Sequence, residues 1–237
     1  MSTRAIYRLV LAVVFLLACA LLIPRPAHAQ SVTCSANASN VNFGTIDPSQ
    51  SGNSSASGQV SFTCHNHSWY TVYVTACLNI GAGNSSSGNT APRDMDGSGP
   101  PPLNFQLYKD AAHTQIWGSV LTPATPSPRQ VQFTINRFGT YNRPNYTRYG
   151  QVPGGQTGVS VGTYQNGFSG VNAALSGLAS GFNYPASCGN TPAIPFPFNV
   201  RATVQPACTV SASNMNFGTA GLLDSAAHDD TAMVSQQ

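Results

Sequence analysis

Gly158-Val159-Ser160-Val161-Gly162 has the G-x-S-x-G spacing of a nucleophilic serine. The pattern performs acyl chemistry only where a strand turns sharply into a helix and throws the hydroxyl forward. The residues that follow, Thr163-Tyr164-Gln165-Asn166-Gly167, contain no helix start, and a Ser…Asp…His order could draw only on Asp224 and His228. A secreted serine hydrolase is therefore kept only as an alternative, and no catalytic residue is assigned. Cys64-His65-Asn66-His67 suggests a metal, but one H-x-H beside a disulfide-committed cysteine supplies too few ligands for a closed site. His113 and His228 have no ligand spacing, so these histidines are read as exposed turn residues. Asp94-Met95-Asp96-Gly97 opens like a calcium loop yet lacks its later ligands, including the distal glutamate; the chain contains no glutamate at all. No metal and no cofactor is expected. Asn-x-Ser/Thr at Asn37, Asn53, Asn66, Asn84 and Asn145 is what chance yields in a chain this rich in Asn and Ser.

The elements that must carry these residues begin after an export signal. Arg4 and Arg8 precede an apolar run at 9–23, too short and wrongly flanked to span a membrane, and Ala27-His28-Ala29 is a cleavage site. Residues 1–29 are read as a signal peptide, with the mature chain starting at Gln30. Three of the ten basic residues lie in that segment, leaving seven against seven acidic residues. With no net charge and a single lysine, Lys109, there is no basic stripe to follow phosphates, so nucleic acid is excluded as a partner.

Cys34-Ser35-Ala36-Asn37-Ala38-Ser39-Asn40-Val41-Asn42-Phe43-Gly44-Thr45 recurs 174 residues later as Cys208-Thr209-Val210-Ser211-Ala212-Ser213-Asn214-Met215-Asn216-Phe217-Gly218-Thr219, with eight of twelve positions identical. Such a match marks an internal domain repeat. Five of the six cysteines lie beyond the signal, and export makes disulfides the default. Four in the first module allow three connectivities. The repeat chooses among them: Cys64 follows Cys34 by 30 residues, and the same step from Cys208 reaches position 238. The expectation is Cys34 with Cys64, Cys77 with Cys188, and Cys208 left odd because its partner is missing.

Alternation with period two recurs at Val60-Ser61-Phe62-Thr63-Cys64, Tyr70-Thr71-Val72-Tyr73-Val74, Phe105-Gln106-Leu107, Val131-Gln132-Phe133-Thr134-Ile135 and from Phe196 to Val204. Gly-, Ser- and Pro-rich stretches separate these runs. Residues 172–179 are the single candidate for a short helix. The expected fold is all-β: a Greek-key sandwich over residues 30–205, then the first strands of a second, truncated module at 206–237. About 30 residues cannot bury a core by themselves.

The order of several pieces resembles the spore coat protein U family. They are Cys34-x8-Phe43-Gly44, then Val60 to Cys64, then Pro92-Arg93-Asp94-Met95, then Leu103-Asn104-Phe105-Gln106-Leu107-Tyr108-Lys109-Asp110. Ile116-Trp117-Gly118, Tyr149 through Gln156, and Val161-Gly162-Thr163-Tyr164 follow. The resemblance implies an immunoglobulin-like sandwich and a structural role, either in pili of archaic, Csu-type chaperone–usher systems or in spore coats. The insert at 165–195, which carries Cys188, followed by a second module, resembles the two-domain tip subunits of such pili. That implies a periplasmic chaperone and an outer-membrane usher as partners, and a neighbouring pilin joined by a donated strand. It also implies transit through the periplasm to the cell surface. A secreted coat or envelope protein without a pilus is the alternative.

Residues 30–33 are too few to donate a strand, since spanning a sandwich takes roughly ten residues. A subunit that accepts but does not donate ends a fibre, which points to the tip. The first module is expected to complete itself with residues 198–204. The candidate adhesive patch for an abiotic or host surface is Phe168, Val171, Leu175, Leu178, Phe182 and Tyr184, set among Gly and Ser. The competing reading is that this insert caps the core.

Overall fold

Phe198, Val200, Ala202 and Val204 are buried and alternate with Arg201 and Thr203, which are exposed, as a strand with one face on a core requires. In the computed structural model this strand is β12, one of fourteen among the described residues. Those residues are 32–85, 87–97, 99–122, 126–190 and 194–206, with 210–212, 231 and 234–236 beyond them. The expected signal peptide, Cys208, Asp224 and His228 lie outside the described residues.

The strands are β1 (Val32–Ala38), β2 (Val41–Ile46), β3 (Ser54–Asn66), β4 (Val72–Ile80), β5 (Arg93–Met95), β6 (Leu103–Tyr108) and β7 (Arg129–Ile135). They continue as β8 (Thr140–Val152), β9 (Gly162–Phe168), β10 (Ala173–Ser180), β11 (Ile194–Pro195), β12 (Phe198–Val204), β13 (Val210–Ala212) and β14 (Val234–Gln236). One sheet runs β1-β3-β8-β6-β5, a second β11-β10-β4-β7, and a third β2-β12-β9. A backbone bridge between Asp96 and Gln165 links the end of β5 to β9. The fold is the all-β sandwich expected from the alternation, with Phe62, Leu78, Phe105, Trp117, Phe168, Phe196 and Phe198 among the side chains filling the space between layers.

β12 completes the three-stranded sheet. It lies between β2, which it pairs in parallel, and β9, which it pairs antiparallel from Phe198 opposite Phe168 to Val204 opposite Gly162. The chain thus fills this position with its own strand. Pro195 sits in the two-residue edge strand β11, and β12 starts after Pro197, so neither proline interrupts an interior ladder.

Residues 172–179 are not a helix. A single 3-10 turn at Gly170–Asn172 leads into β10, whose backbone pairs with β4 from Ala173 opposite Ile80 to Ser180 opposite Tyr73. Gly and Ser weaken a helix here, and the ladder with β4 satisfies the peptide groups instead.

β13 and β14 pair with Ala212 opposite Val234 and Ser211 opposite Ser235. Shifted by the 174-residue repeat, these are Ala38 opposite Val60 and Asn37 opposite Ser61, the register in which β1 pairs with β3. The repeated sequence therefore makes the same local pairing twice.

Candidate functional site

Strand register defines one end of the sandwich. β4 begins there, with Val72 opposite Ile135 at the end of β7, and Tyr73 lies opposite Ser180 at the end of β10. β3 finishes at the same end, where the Asn66 N–H donates to Gly139 O at 2.9 Å. Three connections therefore meet: residues 67–71 between β3 and β4, 136–139 between β7 and β8, and the start of 181–193 after β10. Each carries a large aromatic residue pointed into solvent. Trp69 is 77% exposed, Phe138 62% and Phe182 94%.

Their supports are polar and buried. Asn66 is fully buried, and its Nδ2 donates to Tyr70 O at 2.8 Å, Asn136 O at 3.1 Å and Ile135 O at 3.2 Å. Its Oδ1 accepts from the Ser68 N–H at 2.8 Å. One carboxamide thereby ties the loop bearing Trp69 to the hairpin bearing Phe138, and Phe138 N donates to Ser68 O at 3.2 Å across the same gap. The Trp69 and Tyr70 rings meet edge to face at 5.6 Å. Tyr70 in turn lies against Gly181, where a Cβ would stand 3.0 Å from Tyr70 Cε2, so a side chain there would push the ring away. Phe138 has φ of 52°, in the left-handed region that a bulky residue rarely enters. An exposed aromatic held in that conformation gains nothing from core packing, which makes it a candidate for function.

The insert after β10 folds back over the outer face of β4. Cys77 is joined to Cys188 with S–S 1.98 Å, and Thr75 Oγ1 donates to Pro185 O at 2.7 Å. Tyr184 packs edge to face on Tyr73, and its hydroxyl lies 2.7 Å from Thr134 Oγ1. β4 is consequently buried on both faces along most of its length. Cys34 is joined to Cys64 with S–S 2.04 Å, between directly opposed positions of β1 and β3.

These placements divide the patch expected at 166–185. Phe168 and Leu175 are 1% and 2% exposed and belong to the core, because they fall on inward positions of β9 and β10. Val171 is exposed but precedes β10, so the eight-residue strand, about 26 Å long, separates it from Phe182, which follows the strand. Leu178 is partly exposed on the outer face of β10. Phe182 and Tyr184 alone reach the end where Trp69 and Phe138 stand. Trp69 and Phe138 were not foreseen. Their signal is an aromatic residue inside a polar turn, in Ser68-Trp69-Tyr70 and Arg137-Phe138-Gly139.

The other candidates have plain settings. Ser160 is exposed and is followed by β9, not a helix, with its carbonyl accepting from Tyr164 Oη at 2.9 Å. Asp94 is buried and its Oδ1 accepts from Ser85 Oγ at 2.9 Å. Among the described residues no three His, Cys, Asp or Glu side chains converge to hold a metal ion. His65 lies within β3 itself rather than in the turn, and His67 follows directly after the strand.

Among solved structures, the chain is similar to a chain in the crystal structure of the CsuC–CsuE chaperone–tip adhesion subunit pre-assembly complex from archaic chaperone–usher Csu pili of Acinetobacter baumannii. Identity is 16% and the TM-score 0.43, over 81% of this chain and 67% of that one. It is also similar to the CooA pilin subunit from enterotoxigenic Escherichia coli, at 10% identity and a TM-score of 0.30, over 72% of this chain and 99% of that one. No curated protein sequence matches it. The family model described as Spore Coat Protein U domain matches residues 25–169, a span that includes β1 through β9 and takes in more than half of the sequence; the chain belongs to the Spore Coat Protein U domain family.

Proposed function

We propose that this chain is a non-enzymatic, exported subunit at the tip of a chaperone–usher pilus, and that it attaches cells to surfaces through the aromatic loops at one end of its first module. The observation that carries this reading is the convergence of Trp69, Phe138 and Phe182 in solvent on three loops, two of them tied together by buried Asn66. Isolated apolar residues on a surface need no explanation, but three large rings at one end of a rigid sandwich suit an apolar target. Burying each ring against such a target is worth about 1.5–3 kcal/mol, so the three together support adhesion without a specific receptor. Abiotic plastics and apolar host surfaces are both suitable targets, and biofilm formation is the expected consequence.

The opposite role, joining a fibre, falls to the second module. β13 and β14 pair in the register of β1 and β3, which supports reading them as the first strands of a second sandwich. In the first module the β12 position is filled by the chain itself, whereas the second module would receive that strand from a periplasmic chaperone and later from the neighbouring pilin. An outer-membrane usher would carry the assembled tip to the cell surface.

The test is adsorption of the exported chain to polystyrene and to clean glass on a quartz crystal microbalance. The expected result is strong retention on polystyrene alone, with loss of most of it in the triple variant Trp69→Ser, Phe138→Ser, Phe182→Ser. Equal retention of the triple variant and the wild type would overturn the reading.

A further inference from the structure

His65 lies near the end of β3 and His67 follows directly after the strand, two positions on, where continued extended backbone returns a side chain to the same face. Their rings meet at 4.6 Å between centroids, at 73°. Each ring has one nitrogen engaged by a threonine from a neighbouring strand. His65 Nδ1 lies 2.9 Å from Thr140 Oγ1 on β8, and His67 Nε2 lies 2.8 Å from Thr33 Oγ1 on β1. Thr33 and Thr140 are themselves the cross-strand partners of His65, one on either side.

Two adjacent imidazoles, each with one nitrogen already held, supply the donors a chelate draws on. A metal-binding imidazole has its far nitrogen held by a hydrogen-bonding partner that fixes ring orientation and tautomer. Here both rings are held in that way, and the nitrogens available to an ion are His65 Nε2 and His67 Nδ1. We propose that His65 and His67 form a two-imidazole chelate for a divalent transition ion of the copper, nickel and zinc class, on the outer face of the sandwich at the root of the loop that carries Trp69. Imidazole donors suit those ions and not calcium or magnesium, which take oxygen ligands. Two protein ligands leave the remaining coordination positions to water or to a donor on an apposed surface, so the site is open rather than structural. An ion there would also brace β1, β3 and β8 through the two threonines. The proposal does not depend on the adhesive reading: a coat protein with the same strand would bind the ion equally.

The test is calorimetric titration of the untagged, exported full chain with copper(II) and then nickel(II) chloride, alongside electron paramagnetic resonance with one equivalent of copper(II). The expected result is about one ion per chain, with nitrogen couplings from two imidazoles. His65→Ala and His67→Ala should each weaken binding about tenfold or more. His113→Ala and Cys208→Ser should leave it unchanged. Thermal melting of each variant without metal checks that it is folded, and the resonance spectrum of the wild type needs no variant at all. Absence of binding, a spectrum with one imidazole or none, binding that survives the double histidine variant, or binding lost in Cys208→Ser would overturn the proposal.

Discussion

Asn66 Nδ2 donates to the carbonyl oxygen of Asn136 at 3.1 Å, joining the end of β3 to the hairpin between β7 and β8. The same nitrogen reaches Tyr70 O, and Asn66 Oδ1 holds the Ser68 N–H, so two aromatic loops share one buried support. Removing it in Asn66→Ala strands backbone groups in a region that water reaches poorly, at about 1–3 kcal/mol. Stability in urea should fall by that amount. Adsorption to polystyrene should fall as well, although every aromatic residue is still present. Asn66→Asp should be worse than Asn66→Ala, since an ionised carboxylate would face three carbonyl oxygens as an acceptor with no proton to give.

Phe138 gives a prediction of opposite sign. Its φ of 52° is a conformation that Asn and Gly adopt readily and a large aromatic residue does not. Phe138→Asn should therefore raise the stability of the fold by up to about 1 kcal/mol, read as a higher midpoint in urea, while lowering adsorption. A residue kept for packing would show the two changes in the same direction.

The Cys77–Cys188 bridge closes a loop of 111 residues and fastens the insert onto β4. Cys77→Ser with Cys188→Ser should destabilise the chain by about 2–5 kcal/mol, with protease cleavage appearing first within 181–190. The Cys34–Cys64 bridge spans only 30 residues and joins strands already paired in register, so its removal should cost less. Parallel melting curves of the two double variants would rank them.

The parts of this fold that are legible in the sequence are those where polar and apolar residues alternate, whether the polar face is wet, as in β12, or buried, as at Gln106 in β6. β7 and β12 alternate cleanly, and the strand of the first module that completes it could be named from that alternation. β8 was hidden because its inward positions include Arg148 and Gly150, and because Pro144 interrupts it. In the structure, the pairing of β3 with β8 shifts between Val60 and Phe62, opposite that stretch, so the proline falls where the ladder is irregular. β10 offers only a candidate for a short helix in the sequence because its first four residues are all buried, which removes the polar face that would show period two. The aromatic end was half legible. Phe182 and Tyr184 stand in a conspicuous insert, whereas Trp69 and Phe138 are single residues in short turns, and only strand register brings them to the same end.

Arg93 separates stability from surface attachment. It is fully buried, and among the described residues its guanidinium meets no carboxylate. Nε donates to Gly81 O at 2.7 Å, Nη2 to Ile80 O at 2.9 Å and Trp117 O at 2.7 Å, and Nη1 to Gln106 Oε1. Burial pushes it down to about 9, so it remains charged at neutral pH and is solvated by these oxygens instead of water. Arg93→Met removes a buried charge but takes the guanidinium donors from the carbonyl oxygens of Gly81, Ile80 and Trp117, while Gln106 Oε1 keeps the Leu107 N–H, and Arg93→Lys keeps the charge with a compact head that cannot span them. Both should destabilise the chain by about 3–5 kcal/mol in urea. All four acceptors lie near Ile80, where β4 ends, away from Trp69, Phe138 and Phe182. The fraction of either variant that remains folded should therefore adsorb to polystyrene like the wild type. An adsorption loss as large as that of Asn66→Ala would mean that the two ends of the sandwich are coupled.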